Sequence, residues 1–166
     1  MTALYIIRPL RGENAREITT WRYDPPFNMY DLAPEHIQGL LDPEFRYHQV
    51  LDSGGNLIGY CCFGLDAQVP GGDYRLLEPE VLDLGVGLKP SCTGMGHGAF
   101  FVQAVLDYGA LTYQPQVFRA TIAGFNQRSL KTFLNLGFKI KSSFIRELVD
   151  NQFFQLERLV KEDKDG

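Results

Sequence analysis

The sequence has no excess of basic charge: 16 Lys and Arg stand against 20 Asp and Glu, for a formal charge of -4 and a pI near 5.3. Without a basic stripe there is little to displace counterions from a phosphate backbone, so nucleic acid is not expected as a partner. Long apolar runs are also lacking. No stretch approaches the roughly 20 residues that cross a bilayer, and Met1–Pro9 reaches charge at Arg8 too early for a secretory signal. No membrane partner and a cytoplasmic location are therefore expected. Cysteine is scarce and odd in number, at Cys61, Cys62 and Cys92, and the adjacent pair would point to opposite faces of a strand, so all three read as reduced thiols. His36, His48 and His97 are scattered, and no Cys/His spacing resembles a metal site, so no metal is expected. Repeats, low-complexity tracts and linker composition are absent as well. With 166 residues, 45% of them hydrophobic, the chain reads as one domain over 1–160 followed by a solvated tail over 161–166.

Glycine, by contrast, is present and concentrated. The apolar strand Leu82–Pro90 is followed by Thr93-Gly94-Met95-Gly96-His97-Gly98 and then by an apolar helical run from Ala99 to Tyr108. Alternating glycines let a backbone approach a phosphate closely, and the first turn of a helix offers unpaired N–H groups and partial positive charge. This pattern describes an anion cradle. A P-loop would need Lys-Ser/Thr after the last glycine, where Ala99-Phe100 stands. A dinucleotide site spaces its glycines G-x-G-x-x-G, which does not fit either. The plain alternative is a strand-to-helix turn that binds nothing.

Along the chain, Leu4–Ile7 reads as a strand, Glu13–Trp21 as a helix, and Tyr23–Asp31 as an aromatic, proline-interrupted loop. A short helix carrying Ile37, Leu40 and Leu41 follows Pro34. Tyr47–Leu51 and Leu57–Gly64 flank a turn-rich connection and predict a hairpin, and Asp66–Tyr74 is irregular. Beyond the glycine loop the pattern predicts a strand over Val117–Ile122, a helix over Arg128–Leu136 stopped by Gly137, and a final hairpin. Its strands are Phe138–Val149 and Phe153–Leu159, with a turn at Asp150-Asn151-Gln152.

This order resembles the GCN5-related N-acetyltransferases, and three motifs carry the likeness. Pro90 with Thr93-Gly94-Met95-Gly96-His97-Gly98 looks like the family's Q/R-x-x-G-x-G/A loop for the acyl-CoA pyrophosphate. Asn126-Gln127-Arg128-Ser129 is similar to the asparagine motif that contacts the pantetheine arm. Phe133-Leu134-Asn135-Leu136-Gly137-Phe138 resembles the Y-x-x-L/A-G-F end of the next helix. The branch that acetylates ribosomal-protein N-termini and small amines is closest in look.

The resemblance implies an α+β, three-layer sandwich: a mixed, mostly antiparallel sheet of about seven strands with helices on both faces. It implies direct acetyl transfer from acetyl-CoA to a primary amine, either a small molecule or a protein N-terminus, and is compatible with a homodimer. Cofactor contacts would fall on Val86, Leu88, Thr93, Gly94, Met95, Gly96, His97, Gly98, Ala99, Asn126, Ser129 and Phe133. The backbone N–H of Leu88 would meet the thioester carbonyl, with room left by the small residues Gly85 and Gly87. Asp83 is the candidate to draw the proton from the amine, while Tyr23, Tyr30 and Asp31 would shape the acceptor pocket. Glu78 and Glu80 read as solvated, Tyr108 as core, and Cys92 as an inert thiol.

Three positions depart from the family pattern: Thr93 replaces its Gln or Arg, Phe133 its tyrosine acid, and Thr121 its glutamate base. These departures keep a second reading open, a non-catalytic acyl-CoA-binding or interaction module. A dinucleotide-binding fold would require a mostly parallel sheet, which the hairpin signals oppose.

Overall fold

A computed structural model describes residues 4–74, 80–146 and 151–160. Seven strands form one sheet in the order β1-β2-β3-β4-β5-β7-β6. They are β1 (Ile6–Pro9), β2 (Tyr47–Leu51), β3 (Leu57–Phe63), β4 (Val81–Leu88), β5 (Val117–Ala123), β6 (Lys139–Arg146) and β7 (Asn151–Leu159). Every adjacent pair is antiparallel except β4 with β5. Helices α1 (Gly12–Ile18) and α2 (Ile37–Leu40) cover one face, and α3 (Gly98–Tyr113) and α4 (Gln127–Asn135) the other. The expected three-layer mixed architecture is what the chain adopts.

Each layer follows from side-chain spacing. In α3 the buried residues Phe101, Val102, Val105, Leu106 and Gly109 share one stripe. They pack on Cys61, Phe63, Leu82, Leu84, Phe118 and Ala120, the inward positions of the central strands. Burial of each large side chain there is worth about 1.5–3 kcal/mol. On the opposite face Ala15 and Ile18 of α1 meet Trp21, Leu40 and Leu57. Strand β4 alternates as its sequence requires, with Leu82, Leu84, Val86 and Leu88 in the α3 layer and Asp83, Gly85 and Gly87 on the other side.

Several boundaries differ from the sequence reading. Helix α1 ends at Ile18, and Thr19–Trp21 continue as turns bonded back to Ala15, Glu17 and Ile18. Trp21 stays buried at 6% exposure, so the helical spacing reported burial beyond the helix itself. Helix α3 runs five residues past Tyr108, to Tyr113: Leu111 is 82% exposed, but Gly109 is buried and Ala110 and Tyr113 pack on the core, so tertiary contact carries the last turns. Asn151 and Gln152 belong to β7 and not to a turn, facing Arg146 and Ile145 across the ladder. Leu41 is 40% exposed and lies just past α2. Glu78, residues 147–149 of the predicted strand, Asp150 and the tail 161–166 lie outside the described residues.

Gly109 marks the closest approach of α3 to the sheet: a Cβ there would stand 2.8 Å from Phe63 Cε1 and 3.4 Å from Phe118 Cε1. Alanine gains about 1 kcal/mol of helix propensity over glycine, but forcing a methyl against a fully buried Phe63 costs about 1–3 kcal/mol. Gly109→Ala is expected to lose up to about 2 kcal/mol of stability, read from urea unfolding midpoints. A gain in stability would show that α3 has slack against the sheet.

Candidate functional site

The parallel pair β4 and β5 is the place where the sheet opens. Its ladder runs from Val81 opposite Val117 to Leu84 opposite Ala120, whereas β4 continues to Leu88 and β5 to Ala123. In an antiparallel ladder successive residues turn their N–H and C=O together, first to one neighbour and then to the other. Gly64 N–H bonds Asp83 O at 2.9 Å and Lys89 N–H bonds Ile58 O at 2.8 Å, so Val86 and Leu88 face away from β3, towards β5. On β5, Gly124 N–H bonds Gln152 O at 2.7 Å and Val160 N–H bonds Gln116 O at 3.0 Å, which turns Thr121 and Ala123 towards β4. Main-chain groups of these four residues therefore line a gap between the strands.

The glycine loop stands at the end of β4. Gly94 and Gly96 take φ +72° and +79°, the left-handed region that favours glycine. His97 beside Gly96 is right-handed, with φ -88° and ψ -9°, and such an alternation converges successive N–H groups on one concavity. The first bond of α3 is Phe101 N–H to His97 O at 3.0 Å, so the N–H groups of Gly98, Ala99 and Phe100 have no partner within the helix. Gly94, Met95, Gly96, His97 and Ala99 are exposed, which makes the concavity accessible to an anion. Thr93 contributes less than expected: its hydroxyl and its N–H both donate to Pro90 O, at 2.7 and 3.2 Å, closing the preceding turn.

Asn126 is the N-cap of α4, its Oδ1 accepting the Ser129 N–H at 3.1 Å. That bond turns its Nδ2 towards the Tyr30 hydroxyl, 3.4 Å away. The segment carrying Tyr30 crosses the gap. At the β4 side Tyr23 donates its hydroxyl to Leu88 O at 2.7 Å, and at the β5 side Phe27 and Tyr30 pack on Phe125 with centroids 5.9 and 6.0 Å apart. Asp31 Oδ1 accepts the Tyr23 N–H at 2.9 Å and fastens the two ends of the loop. Burial, then the charge of Asp31, pushes the Tyr23 phenol up to about 12, so it remains a proton donor across the neutral range. The three predicted acceptor residues thus come together with Leu88 and Asn126 at one opening.

Three sequence-based expectations differ from the geometry. Asp83, expected as the base, is 5% exposed. Arg119 clamps it with Nε to Oδ1 at 2.6 Å and Nη2 to Oδ2 at 2.8 Å, and Gln68 Nε2 donates to Oδ2 at 3.0 Å. A carboxylate held at both oxygens in a bidentate pair is a structural ion. The hydrogen bond to Asp83 raises the Arg119 pKa, and the guanidinium also sits 4.9 Å from the Tyr74 ring centroid. Phe133, expected against the cofactor, is 2% exposed and packs edge-on to Phe138 at 5.0 Å; it is core. The small residues of β4 do not leave open space either. A Cβ at Gly87 would meet the Tyr60 ring at 2.4 Å, and one at Gly85 the Cys62 Sγ at 3.2 Å, so these glycines make room for neighbouring side chains.

Sequence reasoning missed Arg119, Gln68 and Tyr74. Thr121, named from the sequence only as standing in place of a glutamate, joins this cluster, its Oγ1 2.7 Å from the Tyr74 hydroxyl. It also missed Arg128, whose guanidinium lies 4.3 Å from the Phe27 ring centroid. Only the register of β4 on β5 reveals the first pairing, since Asp83 and Arg119 are 36 positions apart. Among the described residues no group of three or more His, Cys, Asp or Glu is arranged to hold a metal, and no helix is long and apolar enough to cross a membrane.

The arrangement sets main-chain donors and acceptors along the gap and a concave amide cluster where β4 ends. Residues 5–139 match the family model for the acetyltransferase (GNAT) domain, while a search of curated protein sequences found no match. A GNAT-family acetyltransferase from Bacillus anthracis superposes with a TM-score of 0.73 at 15% identity, covering 95% of this chain and 96% of that one. A chimera of the Vibrio cholerae spermidine N-acetyltransferase SpeG and hSSAT gives 0.72 at 15% identity, with 94% and 95% covered. A Salmonella typhimurium protein assigned as an acetyltransferase, solved with its cofactor acetyl-CoA, gives 0.65 at 16% identity and 96% of both chains.

If Asp83 is structural, Asp83→Asn leaves the Arg119 charge buried without its counterion. The expected cost is about 3–5 kcal/mol, measured by chemical unfolding, with much of it recovered in Asp83→Asn/Arg119→Met. A stable single variant that lost only turnover would return Asp83 to the reaction centre.

Proposed function

The chain belongs to the GNAT acetyltransferase family, and we propose that it moves an acetyl group from acetyl-CoA to a primary amine by direct transfer. The observation that carries this reading is the continuity of the β4/β5 gap with the glycine loop. Acetyl-CoA supplies an acetyl group activated as a thioester. The loop amides of Gly94 to Phe100 hold its pyrophosphate, and the Val86 and Leu88 main chain and the Asn126 carboxamide hold the pantetheine arm. The Leu88 and Val86 N–H groups orient and polarise the thioester carbonyl.

On the acceptor side, the loop over the gap contributes Tyr23, Tyr30 and the negative charge of Asp31, which favours an approaching ammonium group. With Asp83 held by Arg119, the reading assigns no side-chain base among the described residues to that ammonium, and the amine reacts with the thioester in its neutral form. Alignment of the two reactants by the cleft then supplies the acceleration, since well-oriented groups reach effective molarities of about 10⁵ M or more. Polyamines are a fitting acceptor class to test, because two SpeG structures superpose over most of their length. Peptide N-termini are the other.

Two measurements test this. Incubated with acetyl-CoA and a panel of polyamines, small amines and peptide N-termini, the protein is expected to release free thiol continuously with at least one acceptor. Acetyl-CoA binding without release on any of them would favour the binding-module reading, which the buried Phe133 and the paired Asp83 would then explain. For the active acceptor, kcat/KM is expected to rise with pH as the amine loses its proton. Because the Tyr23 phenol ionises only at about 12, Tyr23→Phe should lower the rate about tenfold without changing the shape of that limb between roughly pH 6.5 and 9.5. A limb that disappears in Tyr23→Phe would make Tyr23 the titrating group.

A further inference from the structure

Arg128 is the second residue of α4, exposed, and aimed back at the glycine loop. Its Nη1 lies 3.6 Å from where a Cβ on Gly94 would stand, and its guanidinium carbon is 4.3 Å from the Phe27 ring centroid. Among the described residues no carboxylate pairs with it: the ion pairs there are Lys89 with Glu17 and Arg119 with Asp83. Phe27 also packs on Phe125, with ring centroids 5.9 Å apart. A guanidinium donates hydrogen bonds in its plane, and among the described residues no ion pair occupies those donors of Arg128.

We propose that Arg128 is the side-chain ligand for the phosphates of the CoA cofactor and that Phe27, a residue of the acceptor loop, braces it in that position. The inference rests on the acetyl-CoA reading above and extends it to how the two halves of the site communicate. Thr93 has no free donor for an anion, since its hydroxyl and N–H both bond Pro90 O. The amides of the loop are neutral donors. Arg128 is a cation beside them, reaching across from α4, where a Cβ on Gly98 of α3 would stand 3.5 Å from Thr132 Oγ1. Phosphate bound to Arg128 immobilises the guanidinium against Phe27, and through Phe27 steadies the loop that carries Tyr23, Tyr30 and Asp31. Cofactor binding and acceptor-loop order are then linked, and by reciprocity each strengthens the other.

Calorimetry with acetyl-CoA and with acetyl-pantetheine, which lacks the phosphates and adenosine, tests this on the intact protein. Arg128→Gln is expected to weaken acetyl-CoA about tenfold, the loss of one charge-assisted contact, and to leave acetyl-pantetheine within about twofold. Phe27→Leu should weaken acetyl-CoA a few-fold, and Phe27→Leu/Arg128→Gln should be no weaker than Arg128→Gln alone, because the brace acts only through the arginine. Unchanged acetyl-CoA affinity in Arg128→Gln, or an equal loss for both ligands, would remove Arg128 as a phosphate ligand. Strictly additive losses in the double variant would remove the brace. Failure of the wild-type protein to bind acetyl-CoA is a different result: it would overturn the acetyl-CoA reading itself, and the clamp with it.

Discussion

The structure depends on one main-chain constraint: every buried N–H and C=O must find a partner, and β4 and β5 stop supplying each other's after Leu84 and Ala120. The antiparallel neighbours β3 and β7 hold the two strands in place on their outer sides, so the separation does not unravel the sheet. What remains is a fixed gap edged by peptide groups, which a ligand with its own amides can complete. Tyr23 bonded to Leu88 O and the Asn126 N–H bonded to Ala123 O satisfy part of that edge from within the chain. The rest of the molecule supports this opening: α3 begins where β4 ends, α4 begins where β5 ends, and the Tyr23–Asp31 loop bridges the two sides.

The buried ion pair lies just inside the point where the strands part. Asp83 opposite Arg119 is the third step of a four-step parallel ladder. Its bidentate geometry ties β4 to β5 by side chains immediately before the main-chain bonds end. Gln68 adds a bond from the loop above, and Arg119 stacks under Tyr74. This is a rivet at the apex of the opening. The acid that looked chemically available from its place in a glycine-rich strand is the one the fold uses to hold the strands together.

Much of the fold was legible in the sequence because period and punctuation are local properties. Strand β4 was read as Leu82–Pro90 and spans Val81–Leu88, the β2/β3 hairpin was placed to within one residue, and the glycine loop was placed between strand and helix. The less legible features all depend on register across elements. Whether a carboxylate is free or paired is decided by what stands opposite it, and Arg119 offers no local sign of facing Asp83. The same holds for Gly85 and Gly87, whose missing side chains looked like space for a ligand until Tyr60 and Cys62 filled it. Phe133 was grouped with the cofactor contacts by its place in a motif, but its ring completes the core with Phe138. The site was found from sequence as a loop and a strand, and only the arrangement of the sheet sorted its side chains into those that face the ligand and those that hold the walls.

Asn126 carries a consequence of its own. Serine, threonine and aspartate also close helices by accepting an N–H, but a planar carboxamide has an acceptor at one corner and two donors at the other. With Oδ1 committed to the Ser129 N–H, the group cannot flip without opening the first turn of α4. The stability of a helix end thus decides which atom faces the gap, and a donor is presented there in one orientation before any ligand arrives.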